Sequence, residues 1–126
     1  MSLNPESSSI PYQLGRLFSV LEDIQQKANP SINKTIRDRY FNSASSTPAA
    51  VFPTLIELSQ KHLKKLGTNK GLKIMLEKQM GEIMDHFGTN FPRQLTFQEQ
   101  GSFQLGYYHQ TQARYQKKDK EEKSNV

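Results

Sequence analysis

Apolar residues recur at steps of three and four along most of this chain, and nowhere do they alternate singly as a half-buried strand requires. The first run holds Ile10, Leu14, Leu17, Leu21, Ile24 and Ala28. It predicts a helix over 11–28, with Pro11 in a first turn that does not need its missing N–H and Asn29-Pro30 at the end. A second helix over about 33–44 sets Ile36, Tyr40 and Ala44 on one side and Lys34, Arg37 and Asp38 on the other. Thr47-Pro48 reads as an N-cap and first-turn proline, but Pro53 should clash with the preceding turn. A short turn and then a third helix over 53–66, ended by Gly67, is therefore expected, with Leu55, Ile56, Leu58, Leu63 and Leu66 inward. The cleanest stripe is Leu72, Met75, Leu76, Met80, Ile83, Met84 and Phe87, predicting a helix over 70–87 stopped by Gly88. A capping box, Thr96-Phe97-Gln98-Glu99, starts a fifth helix predicted to reach about 118. The fold class that follows is all-α: a compact antiparallel bundle of four to five helices over 10–116. A disordered, serine-rich segment is expected over 1–9 and a charged flexible tail over 117–126.

Composition narrows the function. A chain of 126 residues supports one domain. No apolar run approaches the roughly 20 residues of a membrane span, and the N-terminus lacks the basic start and apolar stretch of a signal peptide. With no cysteine there are no disulfides, thiolate metal sites or cysteine nucleophiles, and a reducing, cytoplasmic location fits. The net charge of +5 points to a polyanionic partner, phosphate being the usual counterpart of surplus Lys and Arg.

Catalysis finds little support. His62, His86 and His109 fall on different helices, none with the spacing that puts two imidazoles on one face. Glu82 and His86 share a face, but scattered acids elsewhere supply no matching ligand set, so the reading is a solvated face without metal or cofactor. Glu22 and Asp23 are adjacent and diverge on a helix, which makes a poor acid/base pair. Residues 67–71, Gly-Thr-Asn-Lys-Gly, read as an interhelical turn and not as a phosphate loop. No catalytic residue is assigned, and the chain is not expected to be an enzyme.

The cations say more. Lys61, Lys64 and Lys65 close the third helix while Lys70 and Lys73 open the fourth, so the turn between should gather all five. Lys34, Arg37 and Arg39 make a second group. Two readings stay open at this point: a solubilising surface with lysines favourably placed at helix C-termini, or a phosphate-tracking one. Any nucleic-acid contact would go to backbone phosphates, since no helix-turn-helix or aromatic RNP strand is present. In the last helix Phe97, Gly101, Leu105, Tyr108 and Tyr115 fall near one face, and Phe103, Tyr107 and Arg114 near another. Gly101 and Gly106 each disfavour the helix by about 1 kcal/mol relative to alanine, an expense that close helix approach would offset. Packing is the expected role of this helix, with Tyr107, Tyr108, His109 and Arg114 as an edge for partner contact.

Three segments, YQLGRLFSVLEDIQ, ANPSINKTIRDRYFNSASSTPAAVFPTL and EQGSFQLGYYHQTQA, lie in order between Tyr12 and Ala113. They closely resemble the C-terminal region of the large subunit of the type I-C CRISPR Cascade. That region also occurs as a separate small subunit, made from an internal start in the large-subunit gene, and this chain looks like that free subunit. The resemblance implies a non-catalytic helical bundle, present in more than one copy, that lines the inner belly of the complex. Its implied partners are the crRNA-bearing backbone subunits, the Cascade large subunit, further copies of itself, and the target DNA in the R-loop. The family motif assigns no DNA-binding residue; the basic residues named above are assigned from charge, and Lys61, Lys64 and Lys65 lie outside the three segments. Two rivals make different predictions: a helical adaptor that binds only protein, and a free-standing nucleic-acid chaperone.

Overall fold

The Ser9 hydroxyl accepts the Tyr12 N–H at 3.3 Å and so starts α1 (Ile10–Ala28), with Pro11 in its first turn. The structure, a computed structural model, describes the backbone of residues 2–124 and the side chains of residues 2–116. α2 (Ile36–Ser46) starts later than its apolar spacing predicts because Thr35 and Asp38 form a reciprocal cap. The Thr35 N–H donates to Asp38 Oδ2 at 2.8 Å, and the Thr35 hydroxyl accepts the Arg37 N–H at 3.2 Å. Thr47 alone joins α2 to α3 (Pro48–Lys65). Its hydroxyl, expected to cap α3, donates instead to the Ser43 carbonyl at 3.0 Å and offers α3 no side-chain cap.

α3 runs unbroken through Pro53, and the expected turn there does not form. Pro53 is exposed, so the carbonyl of Ala49 that loses its donor lies on the side of the helix where water can reach. On the opposite side Phe52 and Leu55 are fully buried and hold the helix on course across the proline. α4 (Lys70–Met84) is capped by the Asn69 side chain, which accepts the Leu72 N–H at 3.2 Å. It ends three residues before Phe87 because the chain tightens: His86 and Phe87 donate to carbonyls three residues back, both at 3.1 Å. Gly88 then takes φ +65° and donates to the Met84 carbonyl at 2.6 Å, a left-handed step that only glycine makes without strain.

The predicted capping box opens α5 (Phe97–Ser124): Thr96 N–H donates to Glu99 Oε1 at 2.8 Å and Glu99 N–H to the Thr96 hydroxyl at 3.1 Å. The backbone stays helical beyond the predicted end near 118, as far as Ser124 within the stretch read as a charged tail, whose side chains lie outside the described residues. No strand occurs among the described residues, and none of their helices is long and apolar enough to cross a membrane.

α1 is the centre of the bundle, with α2, α3, α4 and α5 all packed on it. Periodicity assigns α1 one apolar stripe, yet every residue from Tyr12 to Ile24 is buried. Its apolar half carries Leu14, Leu17, Phe18, Leu21 and Ile24. Phe18 meets the rings of Phe41, Phe52, Phe103 and Tyr107 edge-on, with centroids 5.5, 6.4, 6.0 and 5.9 Å away. The polar half faces α5. Tyr12 and His109 share a hydrogen bond of 2.7 Å, Arg16 donates to Gln110 at 2.9 Å, and Ser19 and Thr111 share one of 2.7 Å. These pairs advance together along both helices, so α5 lies alongside α1 in the same direction.

The approach is close. A Cβ on Gly15 would be driven into the Phe103 carbonyl, and one on Gly106 into the Tyr12 carbonyl. Gly106 thus has the packing role the sequence proposed for both α5 glycines, whereas Gly101 is exposed with nothing near its Cβ position. Two connecting segments complete the packing. Residues 2–9, read from composition as disordered, are bonded to α1: Gln13 donates to the Ser7 carbonyl at 2.8 Å and Tyr12 Oη accepts the Asn4 N–H at 3.0 Å. Between α4 and α5, Phe91 stacks flat on Phe52 with centroids 5.4 Å apart, and Pro92 accepts the Ala49 N–H at 2.9 Å.

Candidate nucleic-acid interface

The site builds outward from a buried acid. Glu22 on α1 is 5% exposed, and its carboxylate accepts the Tyr107 hydroxyl at 2.5 Å and the Thr35 hydroxyl at 2.6 Å. One side chain therefore ties the start of α2 to the middle of α5. The adjacent Ile36 N–H donates to Gln25 Oε1 at 2.7 Å, so the first turn of α2 has its donors satisfied. The adjacent acids of α1 diverge as expected but serve as anchors: Asp23 pairs with Lys27 at 3.0 Å and Arg114 at 3.6 Å.

Over this base the Arg37 guanidinium carbon lies 5.3 Å from the Tyr107 ring centroid and 5.4 Å from that of Phe41, within cation–π range. Arg114 donates to the Ser19 carbonyl at 3.3 Å and lies 5.2 Å from the Tyr115 ring. Tyr108 and Tyr115 stand at the rim, 52% and 53% exposed. Between α2 and α5, Glu22, Arg37, Tyr107, Tyr108, Arg114 and Tyr115 line a cleft of about 340 Å³. A hollow of about 270 Å³ adjoins it, lined by Arg37, Asp38, Arg39, Phe41 and Asn42.

Burial first, and then the hydrogen bond to Glu22, push the Tyr107 hydroxyl well above its ordinary pKa of 10.0, because ionising it would set two anions in contact. The folded state thus holds the phenol proton more tightly than the unfolded chain. Its contribution to stability is complete below pH 10 and declines as pH rises beyond that value. Tyr107→Phe leaves Glu22 with one partner fewer, so a loss of about 1–3 kcal/mol at neutral pH is expected. The variant should also lose less of its remaining stability above pH 10 than the parent does. Urea midpoints at neutral and alkaline pH check both.

The structure distributes the sequence-predicted residues unevenly. Of the four assigned to partner contact, Tyr107 is buried, while His109 and Arg114 are half-buried and bonded to α1; Tyr108 alone is exposed. The outward face of α5 is the other one, with Phe97 89% and Leu105 46% exposed beside Tyr108 and Tyr115. The signal for it was the second apolar face of that helix. Arg37 and Tyr108, assigned on the sequence to different roles, share one cleft.

Lys34, Arg37 and Arg39 are exposed, on α2 and the loop before it, with Asp38 among them engaged in the cap. Lys61, Lys64, Lys65 and Lys70 are exposed around the turn from α3 to α4. Lys73 is half-buried and 3.8 Å from Glu77, the one ion pair of that corner among the described residues. Burial first, and Lys65 second, lower the pKa of His62, so the positive field of the corner reaches its own histidine.

No curated protein matches the chain at a significant level. Residues 1–115 match the family model described as CRISPR-associated protein (Cas_Csd1). The chain belongs to this Cas_Csd1 family of CRISPR-associated proteins, the Cascade family that its three sequence segments resemble.

Proposed function

We propose that the chain is the non-catalytic small subunit of a type I-C Cascade, working in the cytoplasm. It bridges the crRNA-bearing backbone subunits and the large subunit, and it stabilises the R-loop through phosphate contacts that ignore sequence. The observation that carries this reading is the set of exposed cations, Lys34, Arg37, Arg39, Lys61, Lys64, Lys65 and Lys70, none of which forms an ion pair among the described residues. Guide pairing supplies specificity in such a complex, so a shape-tolerant basic surface suffices, and a nearly balanced strand exchange is tipped by a few contacts.

Target-duplex affinity of the complex, assembled with and without this chain over a salt series, tests the role. Weaker binding with a shallower salt slope on omission is expected; unchanged affinity and slope would overturn it. Arg37→Ala with Arg39→Ala should weaken binding to every target sequence alike and flatten the log–log salt slope by about 0.7 for each lost contact. A second reading, an adaptor touching protein alone, draws on the outward stripe of Phe97, Leu105, Tyr108 and Tyr115. It predicts no change in salt slope for that arginine pair.

A further inference from the structure

α2 reaches the core through its second half. Phe41 meets the rings of Phe18, Phe103 and Tyr107 edge-on, and Ala44 and Ser45 are buried. The first turn of α2 and the loop before it, residues 29–39, have a weaker hold. Ile36 is buried, Asn29, Ile32 and Thr35 are half-buried, and the rest of the segment is exposed. Between Pro30 and Lys34 the one backbone-to-backbone hydrogen bond among the described residues runs from the Ile32 N–H to the Asn29 carbonyl, at 3.0 Å.

Polar contacts keep this segment shut. The Thr35 hydroxyl donates to Glu22 at 2.6 Å while it accepts the Arg37 N–H at 3.2 Å, so one group serves as both tether and helix cap. The Ile36 N–H donates to Gln25 Oε1 at 2.7 Å, and Arg37 rests over the Tyr107 ring. Such bonds differ from apolar burial in being replaceable. When the segment lifts, water takes the place of each partner, and the net cost of parting is small. Only Ile36 loses a buried apolar side chain. A region with few buried apolar contacts belongs to the least stable part of a fold and opens before the rest.

We propose that residues 29–39 are a latched flap that opens on an otherwise intact bundle. The Glu22 carboxylate is the latch, and Phe41 is the pivot, seated among the core rings. Thr35, Arg37 and Asp38 form one wall of the cleft against α5, so opening the flap widens that cleft and uncovers the bond between Glu22 and Tyr107. It also moves Lys34, Arg37 and Arg39 together, relative to the lysines around the turn from α3 to α4. The flap follows from packing alone and holds whether or not those cations meet phosphate.

Native-state amide exchange of the full chain, read residue by residue by NMR and corrected for intrinsic rates, tests it. The amides of Thr35, Ile36, Arg37 and Asp38 are bonded when the flap is shut and free when it lifts. Their protection should be about a hundredfold below that of Leu17 and Leu21 in α1, and insensitive to urea below the unfolding transition, because local opening exposes little surface. Ile83→Val in α4, a buried position outside the flap, should speed exchange in α1 about two- to tenfold and leave the flap amides unchanged. Thr35→Asp separates latch from cap. Aspartate caps a helix at least as well as threonine, but it repels Glu22 and cannot donate to it. Flap exchange should rise about tenfold, the loss of one hydrogen bond to a charged group, whereas Thr35→Ser, which keeps the donor, should match the parent. Flap amides as protected as those of α1, or flap rates that rise with urea or with Ile83→Val, would mean that the segment opens only with the whole bundle. Parental flap exchange in Thr35→Asp would overturn Glu22 as the latch.

Discussion

Gly15→Ala and Gly106→Ala should each destabilise the protein by about 3 kcal/mol, at the upper end for overpacking, whereas Gly101→Ala should stabilise it by about 0.5–1 kcal/mol. The opposite signs follow from what each new methyl meets. At Gly15 the obstacles are the Phe103 carbonyl and the Tyr107 backbone nitrogen; at Gly106 they are the carbonyl and Cα of Tyr12. Backbone atoms cannot rotate aside as a side-chain end can, so α1 and α5 must separate. The hydrogen bonds from Tyr12 to His109, Arg16 to Gln110 and Ser19 to Thr111 then lengthen together. A gain of about 1 kcal/mol in helix propensity offsets only part of this. At Gly101 nothing lies within 4 Å of the Cβ position, and the propensity gain stands alone. Urea unfolding followed by circular dichroism measures all three; with the slope unchanged, the midpoint reports stability. The Gly15→Ala, Gly106→Ala double variant should lose less than the two singles added, because both open the same contact. A parental midpoint for Gly106→Ala would mean that the two helices do not approach so closely.

Phe18→Ala should remove about 3–5 kcal/mol, a large share of the roughly 5–15 kcal/mol that holds a domain of this kind. Phe18 is 0% exposed, and its ring touches aromatic residues from three other helices: Phe41 of α2, Phe52 of α3, and Phe103 and Tyr107 of α5. Truncation leaves a void bounded on all sides by elements fixed elsewhere, which limits collapse into it. Phe18→Leu, which refills most of that volume, should lose distinctly less. Phe97→Ala is the matched control: its ring is 89% exposed, so a change within about 0.5 kcal/mol is expected. Similar losses for Phe18→Ala and Phe97→Ala would contradict the placement of Phe18 at the junction of the bundle.

Much of the architecture is local information, and that part was legible in the sequence. The Thr96–Glu99 box, the stop at Gly88 and the stripe from Leu72 to Met84 each depend on residues within one or two turns of each other. Thr35 and Asp38 carried the same kind of signal, and reading it would have set the start of α2 correctly. The candidate cleft was legible in its components only. Its cations came from charge and its tyrosines from the second face of α5, but their meeting depends on Glu22 bonding residues 13 and 85 positions away.

What the sequence by itself determined, then, was an all-helical chain of four to five helices, the Thr96 cap that opens the last of them and which residues carry charge, because helical periodicity and capping are satisfied within a few residues. Only the tertiary structure decided that α1 is enclosed on every side, that α3 continues through Pro53, and that Gly106 but not Gly101 marks a close approach. It also decided that Tyr107, His109 and Arg114 turn toward α1 while Tyr108 faces outward. Each of these outcomes depends on which atoms of a distant segment occupy the neighbouring space. A one-dimensional pattern records the polarity of a position, but not the surface that comes to cover it.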